Sequence, residues 1–386
     1  MSDSAPIGPS TPTKVAILGG SGFMGYDLAR TLQESQAFEP IVYSTSAKSL
    51  VNLARHDIDI RLIRYADLSQ TQLPADVRFL VNYAHPFGNR EALSVKSQVR
   101  ILSDFMIGNL QRLPELRAIH LSSMSVYEPF EAGREFAEPS RLNAPRADRY
   151  ARSKCDFEAK LEAHTALAER LLMLRPTVVY GPFCRPWTDA ILAEFDAGDI
   201  EYRDLSGRVQ PLLVSDLTDF IIERFADFAP GTFNLAGPQI LSWHEFLNFF
   251  GNLVSRGRLV ERAQPDLSPQ GTAAGILREA SDLLRMNLRQ PRVKELARLW
   301  LRRLPAPWIE RIKQRFNDNL GPLARSVAAR PPDPGVFCDA FFADDRLVSM
   351  RATNERFPQT ELTRLESTGD LLSRYHRFRF SDEVLT

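Results

Sequence analysis

The sequence predicts an α/β fold, a doubly wound parallel sheet followed by a smaller C-terminal α+β lobe, on three observations. An apolar, β-branched run, Val15-Ala16-Ile17-Leu18, leads through a glycine-rich turn, Gly19 to Gly25, into a helical pattern marked by Phe23, Leu28, Ala29 and Leu32. Short strand-like runs then alternate with helical ones as far as about residue 182, which implies parallel pairing with right-handed crossovers. Finally, 386 residues exceed the roughly 250 to 300 at which a single core stops growing. Two lobes are therefore expected, 14–182 and 183–386, with room for some strands of the second to return to the main sheet, after a Ser-, Thr- and Pro-rich leader over 1–13 that is expected to be disordered.

The elements follow in order. Pro40 to Thr45 reads as a second strand and Lys48 to His56 as a helix; Ile58 to Arg64 makes a third strand and Val77 to Ala84 a fourth. The long pattern from Arg90 to Leu113 is helical and ends at Pro114, where a missing N–H stops it. Leu116 to Ser123 is a fifth strand, Arg149 to Ala168 a helix and Leu171 to Val179 a sixth strand. The whole reads as Rossmann-like. Ligands of such sheets sit at the carboxyl ends of the strands, where the glycine turn, Ala84-His85, Ser122-Ser123 and Thr177 to Tyr180 all fall.

Composition narrows the partners. Forty-eight basic residues balance forty-eight acidic ones, so no net field draws nucleic acid or an anionic membrane, and a small-molecule substrate is expected. Cys155, Cys184 and Cys338 are too widely spaced for a disulfide framework or a zinc site and suit a reducing compartment; no metal is expected. No apolar run reaches the about 18 residues of a spanning helix, and the leader has no apolar core of a secretory signal. A cytoplasmic protein is the expectation.

The glycine turn suits a phosphate-bearing cofactor, because small residues let the backbone approach an anion and a helix start offers unpaired N–H groups. An acidic residue that binds ribose hydroxyls normally lies about 20 residues further on. Ser44, Thr45 and Ser46 stand there instead, with Lys48 just beyond. Hydroxyls and an ammonium accept a 2′-phosphate that a carboxylate would repel, which favours NADP over NAD, although such residues also start helices. Asp67 could accept a bond from an adenine amino group or cap a turn. Tyr150 and Lys154 share one helix face. A phenol with a pKa near 10 becomes a useful base only if positive charge lowers that pKa, and a lysine one turn away is such a source. Ser123, at the end of the neighbouring strand, could hold a substrate oxygen.

On these residues the chain resembles an extended short-chain dehydrogenase/reductase of the NAD-dependent epimerase/dehydratase family. Gly19-Gly-Ser-Gly-Phe-Met-Gly25 is similar to its cofactor turn, Ser122-Ser-Met-Ser-Val-Tyr127 to its active-serine strand, Tyr150-Ala-Arg-Ser-Lys154 to its catalytic helix, and Arg175-Pro-Thr-Val-Val-Tyr-Gly-Pro182 to the motif after its sixth strand. Fainter echoes at Leu213 to Asp216 and Thr232 to Gly237 carry the resemblance to about Val254. It implies Ser123 as substrate hydrogen-bonder, Tyr150 as acid/base, and Lys154 as the residue that binds the nicotinamide ribose and tunes Tyr150. It further implies cofactor contacts at Gly19, Gly22, Phe23, Met24, Gly25, Asp67, Leu68 and Ala84. The helices at Arg90 to Leu113 and Arg149 to Ala168 resemble those that pair family members, so a homodimer is expected.

The departures bear on substrate and reaction. Family members that dehydrate nucleotide sugars carry an acidic pair after the active hydroxyl; here Met124 and Ser125 stand there and can do neither proton transfer. Val178 stands where many sugar-nucleotide members have an asparagine against the substrate, and Glu128 where glycine is usual. His85, just beyond the fourth strand, could face the nicotinamide or lie in solvent; His120, within the fifth, reads as a core residue, and Arg175 as one tied to backbone carbonyls or reaching a phosphate. From Arg285 to Arg330 twelve basic residues face only Glu295, Glu310 and Asp318, with Trp300 and Trp308 at near-helical spacing. Two short helices capping the cleft, or a surface pair meeting a membrane or an acidic partner, would both read so. Val336 to Phe342 is strand-like. The expected activity is hydride transfer between NADP or NAD and a carbinol or carbonyl carbon. A nucleotide-sugar epimerase holding NAD tightly and a non-catalytic NADP-binding redox sensor are the alternatives.

Overall fold

The computed structural model describes residues 11–45, 50, 53–86, 93–127, 130, 133–140, 142, 149–202, 204–254, 256–261, 342 and 344–380. Ser46, Lys48, Glu128, Cys338, the basic stretch 285–330 and all of 336–342 except Phe342 therefore lie outside the described residues.

Seven parallel strands form the main sheet: β1 (Thr13–Leu18), β2 (Phe38–Ser44), β3 (Asp59–Leu62), β4 (Val77–Asn82), β5 (Arg117–Leu121), β6 (Leu171–Pro176) and β7 (Gly231–Leu235). Their spatial order is β7-β6-β5-β4-β1-β2-β3. The chain winds outward one way from β1 to β3 and the other way from β4 to β7, so the direction reverses between β1 and β4, where a crevice opens at their carboxyl ends. Strand β7 lies past residue 182, in the stretch expected to form the second lobe, and pairs in register with β6.

Alternation along the strands sets the two faces. Val15 and Ile17 point with Val42, Val81 and Ile119 into a core shared with helices α1 (Phe23–Ser35) and, later in the chain, 214–226. Ala16 and Leu18 point with Ile41 and Leu80 into the opposite core, covered by α2 (Val95–Arg112) and α3 (Arg149–Glu162). Helix α2 starts where Ser94 Oγ accepts the Ser97 N–H, 3.1 Å, a cap that satisfies an otherwise orphaned donor. A third core lies beyond β6 and is built by α4 (Ala190–Ala197), α6 (Trp243–Leu253) and α8 (Gly369–Phe380) together with short strand pairs; Trp243, Phe246, Phe250 and Phe195 fill its centre. Of the other helices beyond β6, α5 (Val214–Ala226) packs on the sheet with α1, and α7 (Arg351–Arg356) lies against β7.

Several expected boundaries shift for physical reasons. Between β2 and β3 the described part of the expected helix is a short 3₁₀ turn, Leu53–Arg55. Strand β6 stops at Pro176, and Val179–Tyr180 pairs instead with Leu212–Leu213, outside the main sheet. The helix expected over Arg149 to Ala168 ends at Glu162 and resumes as a 3₁₀ turn, Thr165–Arg170.

A buried lattice ties the sheet to the C-terminal segment. Arg175 on β6 makes a two-pronged pair with Glu158 on α3, 3.1 and 2.6 Å, and donates to the Tyr127 hydroxyl, 2.8 Å, and the Glu138 carbonyl, 3.0 Å. The carbonyl-tied arginine expected from sequence is thus chiefly ion-paired. Tyr127 in turn donates to Asn234 on β7, whose amide reaches the carbonyls of Phe136 and Ser349.

Candidate active site

The site is built at the crevice, beginning with the glycine turn. Gly19 has φ +83°, a left-handed conformation, and a Cβ there would stand 2.7 Å from the Ala84 nitrogen. At Gly25 a Cβ would stand 2.5 Å from the Gly19 carbonyl oxygen, so the third glycine lets α1 close on the turn. Gly22 caps α1 with extended backbone and no side-chain acceptor. The first-turn N–H groups, with Phe23 and Met24, therefore have no capping side chain, which is the arrangement that receives an anion. Phe23 and Met24 themselves pack their side chains on the core beneath α1.

A cavity of about 190 Å³ lies over this turn, lined by Gly19, Ser21 and Gly22 on one side, Ser44 and Thr45 at the end of β2, and Ala84 and His85 after β4. Among the described residues the lining has no carboxylate. Ser44 Oγ lies 3.4 Å from Ser21 Oγ. Asp67, by contrast, sits in the 3₁₀ turn Tyr65–Gln70 and pairs with Arg64, 2.6 Å, and Leu68 is fully buried in the core under α2; neither lines the cavity. Sequence reasoning missed Ser21, Tyr65 and Tyr83 as lining residues. Ser21 lies inside the glycine motif and Tyr83 directly precedes Ala84, so adjacency was the available signal.

Helix α3 carries Tyr150, Lys154, Phe157 and Leu161 on one face, at the spacing of successive turns. Phe157 and Leu161 are buried in the core, which orients this face toward the strand ends. Lys154 is 5% exposed and donates to the Leu121 carbonyl at the end of β5, 2.6 Å. Burial lowers its pKa to about 8, against a smaller raising effect of Glu158. Tyr150 is 40% exposed. The ammonium lies 5.9 Å from the centre of its ring.

Ser123 is buried where β5 gives way to a 3₁₀ turn, Met124–Tyr127, that packs on α3; its Oγ accepts the Ser125 N–H, 3.2 Å. Met124 and Val178 are buried together in the third core. His85 is half-buried and makes an edge-on ring contact with Tyr150, centroids 4.6 Å apart. His120 is a core residue, stacked on Phe157 at 4.1 Å and bonded through Nδ1 to Asn82, 3.0 Å.

A nicotinamide dinucleotide fits these residues: a left-handed glycine abutting β4, an uncapped helix start, a cavity at the point where strand order reverses, and the fully buried Tyr83 hydroxyl and Ser122 Oγ without protein partners at the same strand ends. Among the described residues no helix is long and apolar enough to cross a membrane.

Comparison with known proteins agrees with this fold. No curated protein sequence matches the chain. Solved structures similar to it include UDP-glucuronic acid 4-epimerase from Bacillus cereus in complex with UDP-glucuronic acid and NAD, at 18% identity and TM-score 0.53, covering 64% of this chain and 86% of that one. Another is dTDP-glucose 4,6-dehydratase from Bacillus anthracis in complex with NAD, at 16% identity and TM-score 0.51, covering 65% and 86%. A third is ADP-L-glycero-D-manno-heptose-6-epimerase from Helicobacter pylori, at 14% identity and TM-score 0.53, covering 65% and 85%. At these identities the likeness is one of fold. The sequence profile of the NAD dependent epimerase/dehydratase family matches residues 15–222, more than half of the chain, and spans the glycine turn, the serine strand end and the tyrosine helix alike; the chain belongs to that family.

Proposed function

We propose that this protein is an NAD(P)-dependent oxidoreductase that moves a hydride between the nicotinamide and a carbinol or carbonyl carbon of a small molecule. The observation that carries the reading is Tyr150 set one helical turn from a buried lysine, on a helix beside the glycine-turn cavity. Gly19, Gly22, Gly25, Ser44, Thr45, Ala84 and Lys154 would hold the cofactor, with Ser46 and Lys48 as further contacts. When bound in its oxidised form it supplies a hydride acceptor and a positively charged ring.

The chain's own part is to bind, orient and move a proton. Ser123 holds the substrate oxygen by a hydrogen bond, and Tyr150 takes the hydroxyl proton in oxidation or returns it in reduction. Bringing a phenol from a pKa near 10 to about 7 takes roughly 4 kcal/mol. An ammonium 5.9 Å from the ring centre supplies about 3 kcal/mol at an effective dielectric of about 20 when the phenolate charge is taken at that centre, and solvent at the half-exposed Tyr150 reduces this. Lys154 is therefore one contributor and the cofactor's charge the other.

The absence of a carboxylate among the described residues that line the cavity beside Ser44 and Thr45 supports NADP over NAD. Met124 and Ser125 supply no acid or base for eliminating water, and the buried, apolar Val178 and Met124 favour a substrate other than a nucleotide sugar. Side-by-side packing of α2 and α3 supports a homodimer through these helices. The test is stoichiometric. A small molecule that co-purifies in the cleft is identified by mass spectrometry, and nicotinamide consumed per product is counted; one per turnover is expected, whereas product formed with no net change in nicotinamide absorbance hands the protein to the epimerases.

A further inference from the structure

We propose that His85 is a positioning residue for Tyr150, the wall against which the phenol ring is set, and that it ties the orientation of that ring to the glycine turn. The inference rests on the reading of Tyr150 as the acid/base. Its basis is a continuous run of contacts. The backbone that carries His85 is fixed from two sides directly after β4: the Tyr83 N–H donates to the Leu18 carbonyl, 2.8 Å, and the Ala84 N–H to Asn82 Oδ1, 2.9 Å. Ala84 also lies against Gly19, so close that a Cβ on the glycine would reach its nitrogen at 2.7 Å. Whatever moves the turn moves Ala84, and His85 follows by one bond. His85 lines the same cavity as Gly19 and Gly22 and meets the Tyr150 ring edge-on, at 63° between planes.

A second bracket of the same kind shows what the contact does. Asn82 holds His120, and His120 stacks on Phe157. The ends of β4 and β5 thus place one imidazole against each of two aromatic rings two helical turns apart on α3. The inner pair is buried and fixes the helix. The outer pair stands at the cavity rim, where Tyr150 is 40% exposed and a phenol on the first turn of a helix has several staggered rotamers open to it. Edge-on contact selects among them, since ring pairs prefer this geometry. Lys154 contributes charge to the same ring from the other direction along the helix but is itself committed to the Leu121 carbonyl.

The test follows the ring itself in the full-length protein carrying ¹³C-labelled tyrosine, with the Tyr150 signal assigned by its loss in Tyr150→Phe. His85→Ala removes the wall and His85→Phe keeps a flat ring there; thermal midpoints and far-UV circular dichroism check that both fold. Without cofactor, the Tyr150 signal is expected to be displaced from that of a free tyrosine in the wild type and in His85→Phe, and to lose that displacement in His85→Ala. With NADP⁺ added, or NAD⁺ where that binds more tightly, the phenol midpoint is expected to fall in wild type and His85→Phe and to stay nearer its free value in His85→Ala. A Tyr150 signal unchanged by His85→Ala, or a His85→Phe variant that behaves like His85→Ala, overturns the proposal. A wild-type phenol that responds to neither NADP⁺ nor NAD⁺ counts instead against Tyr150 as the acid/base, while the cofactor-free comparison still decides for or against His85.

Discussion

Substituting Gly19 by alanine strikes the crevice at the point where three elements meet. A residue with a Cβ held at φ +83° costs about 1 to 2 kcal/mol in the left-handed region. The new methyl would also lie 2.7 Å from the Ala84 nitrogen and 3.0 Å from both Ala84 Cα and the Tyr83 carbonyl carbon. All three are backbone, so no side chain can swing aside, and overpacking of this kind costs about 1 to 3 kcal/mol more. The expected loss is therefore about 2 to 5 kcal/mol, within the roughly 5 to 15 kcal/mol of a typical domain, so a folded variant is measurable. Relief requires the turn to retreat from β4, which spoils the N–H array at the start of α1, and NAD(P) binding should weaken at least about tenfold, or 1.4 kcal/mol. Urea unfolding with and without cofactor reads both. At a cofactor concentration 100 times the wild-type Kd the wild type gains about 2.7 kcal/mol, and a tenfold weaker variant about 1.4 kcal/mol. Gly108→Ala is the control: it lies in α2 with nothing within 4 Å of an added Cβ and should stabilise by up to about 1 kcal/mol. A Gly19→Ala protein within about 0.5 kcal/mol of wild type, the ordinary range for surface substitutions, and with unchanged cofactor affinity would refute the role given to the turn.

Tyr150→Phe should abolish turnover, by about 10² to 10⁴, while thermal midpoint and cofactor affinity stay near wild type; activity within a few-fold on the co-purified substrate removes Tyr150 from the mechanism. Fluorescence titration should show NADP binding more tightly than NAD, with the margin narrowed by Lys48→Ala; tighter NAD and no response to Lys48→Ala would show that the end of β2 does not read the 2′-phosphate. His120 should make the fold acid-sensitive. Burial, then Lys154 and His85, hold its pKa well below 6.5, so the unfolded chain binds the extra proton and stability present above pH 6.5 drains as pH falls. At pH 5 this amounts to at most about 2 kcal/mol, and His120→Gln should show a smaller difference between pH 8 and pH 5 in urea unfolding; an identical pH slope would mean that the ring protonates in the folded state.

The architecture was legible in the sequence because its signals are local. The apolar run before Gly19 and the helix after it announce β1 and α1 within about twenty residues, and the Tyr150 to Lys154 spacing is a property of one helix. What escaped was set by distant partners. Nothing near Arg175 in sequence says that its guanidinium meets Glu158 across from a helix, 3.1 and 2.6 Å away, and nothing near His85 says that it touches Tyr150. The sixth strand was overextended because Thr177 to Val179 is β-branched throughout, whereas Pro176 donates no ladder bond and the chain then turns so that Val179–Tyr180 pairs with Leu212–Leu213, partners more than thirty residues away. Leu68 and Asp67 were joined by adjacency, yet one is sealed in the core and the other faces Arg64 in solvent.

Strand β7 has a consequence for the order in which the molecule can assemble. It completes the edge of the sheet beside β6, yet it is made 55 residues after Pro176, which at about 5 to 20 residues per second leaves β6 as an open edge on the nascent chain for roughly 3 to 11 seconds. Asn234 on that strand then waits longer still for Ser349, whose carbonyl it contacts. Throughout this interval Arg175, Glu158 and Tyr127 can pair among themselves but have nothing to close over them. The nascent cofactor lobe is thus exposed to edge-to-edge pairing with a neighbouring chain, and a chain terminated near Pro182 would carry that hazard permanently.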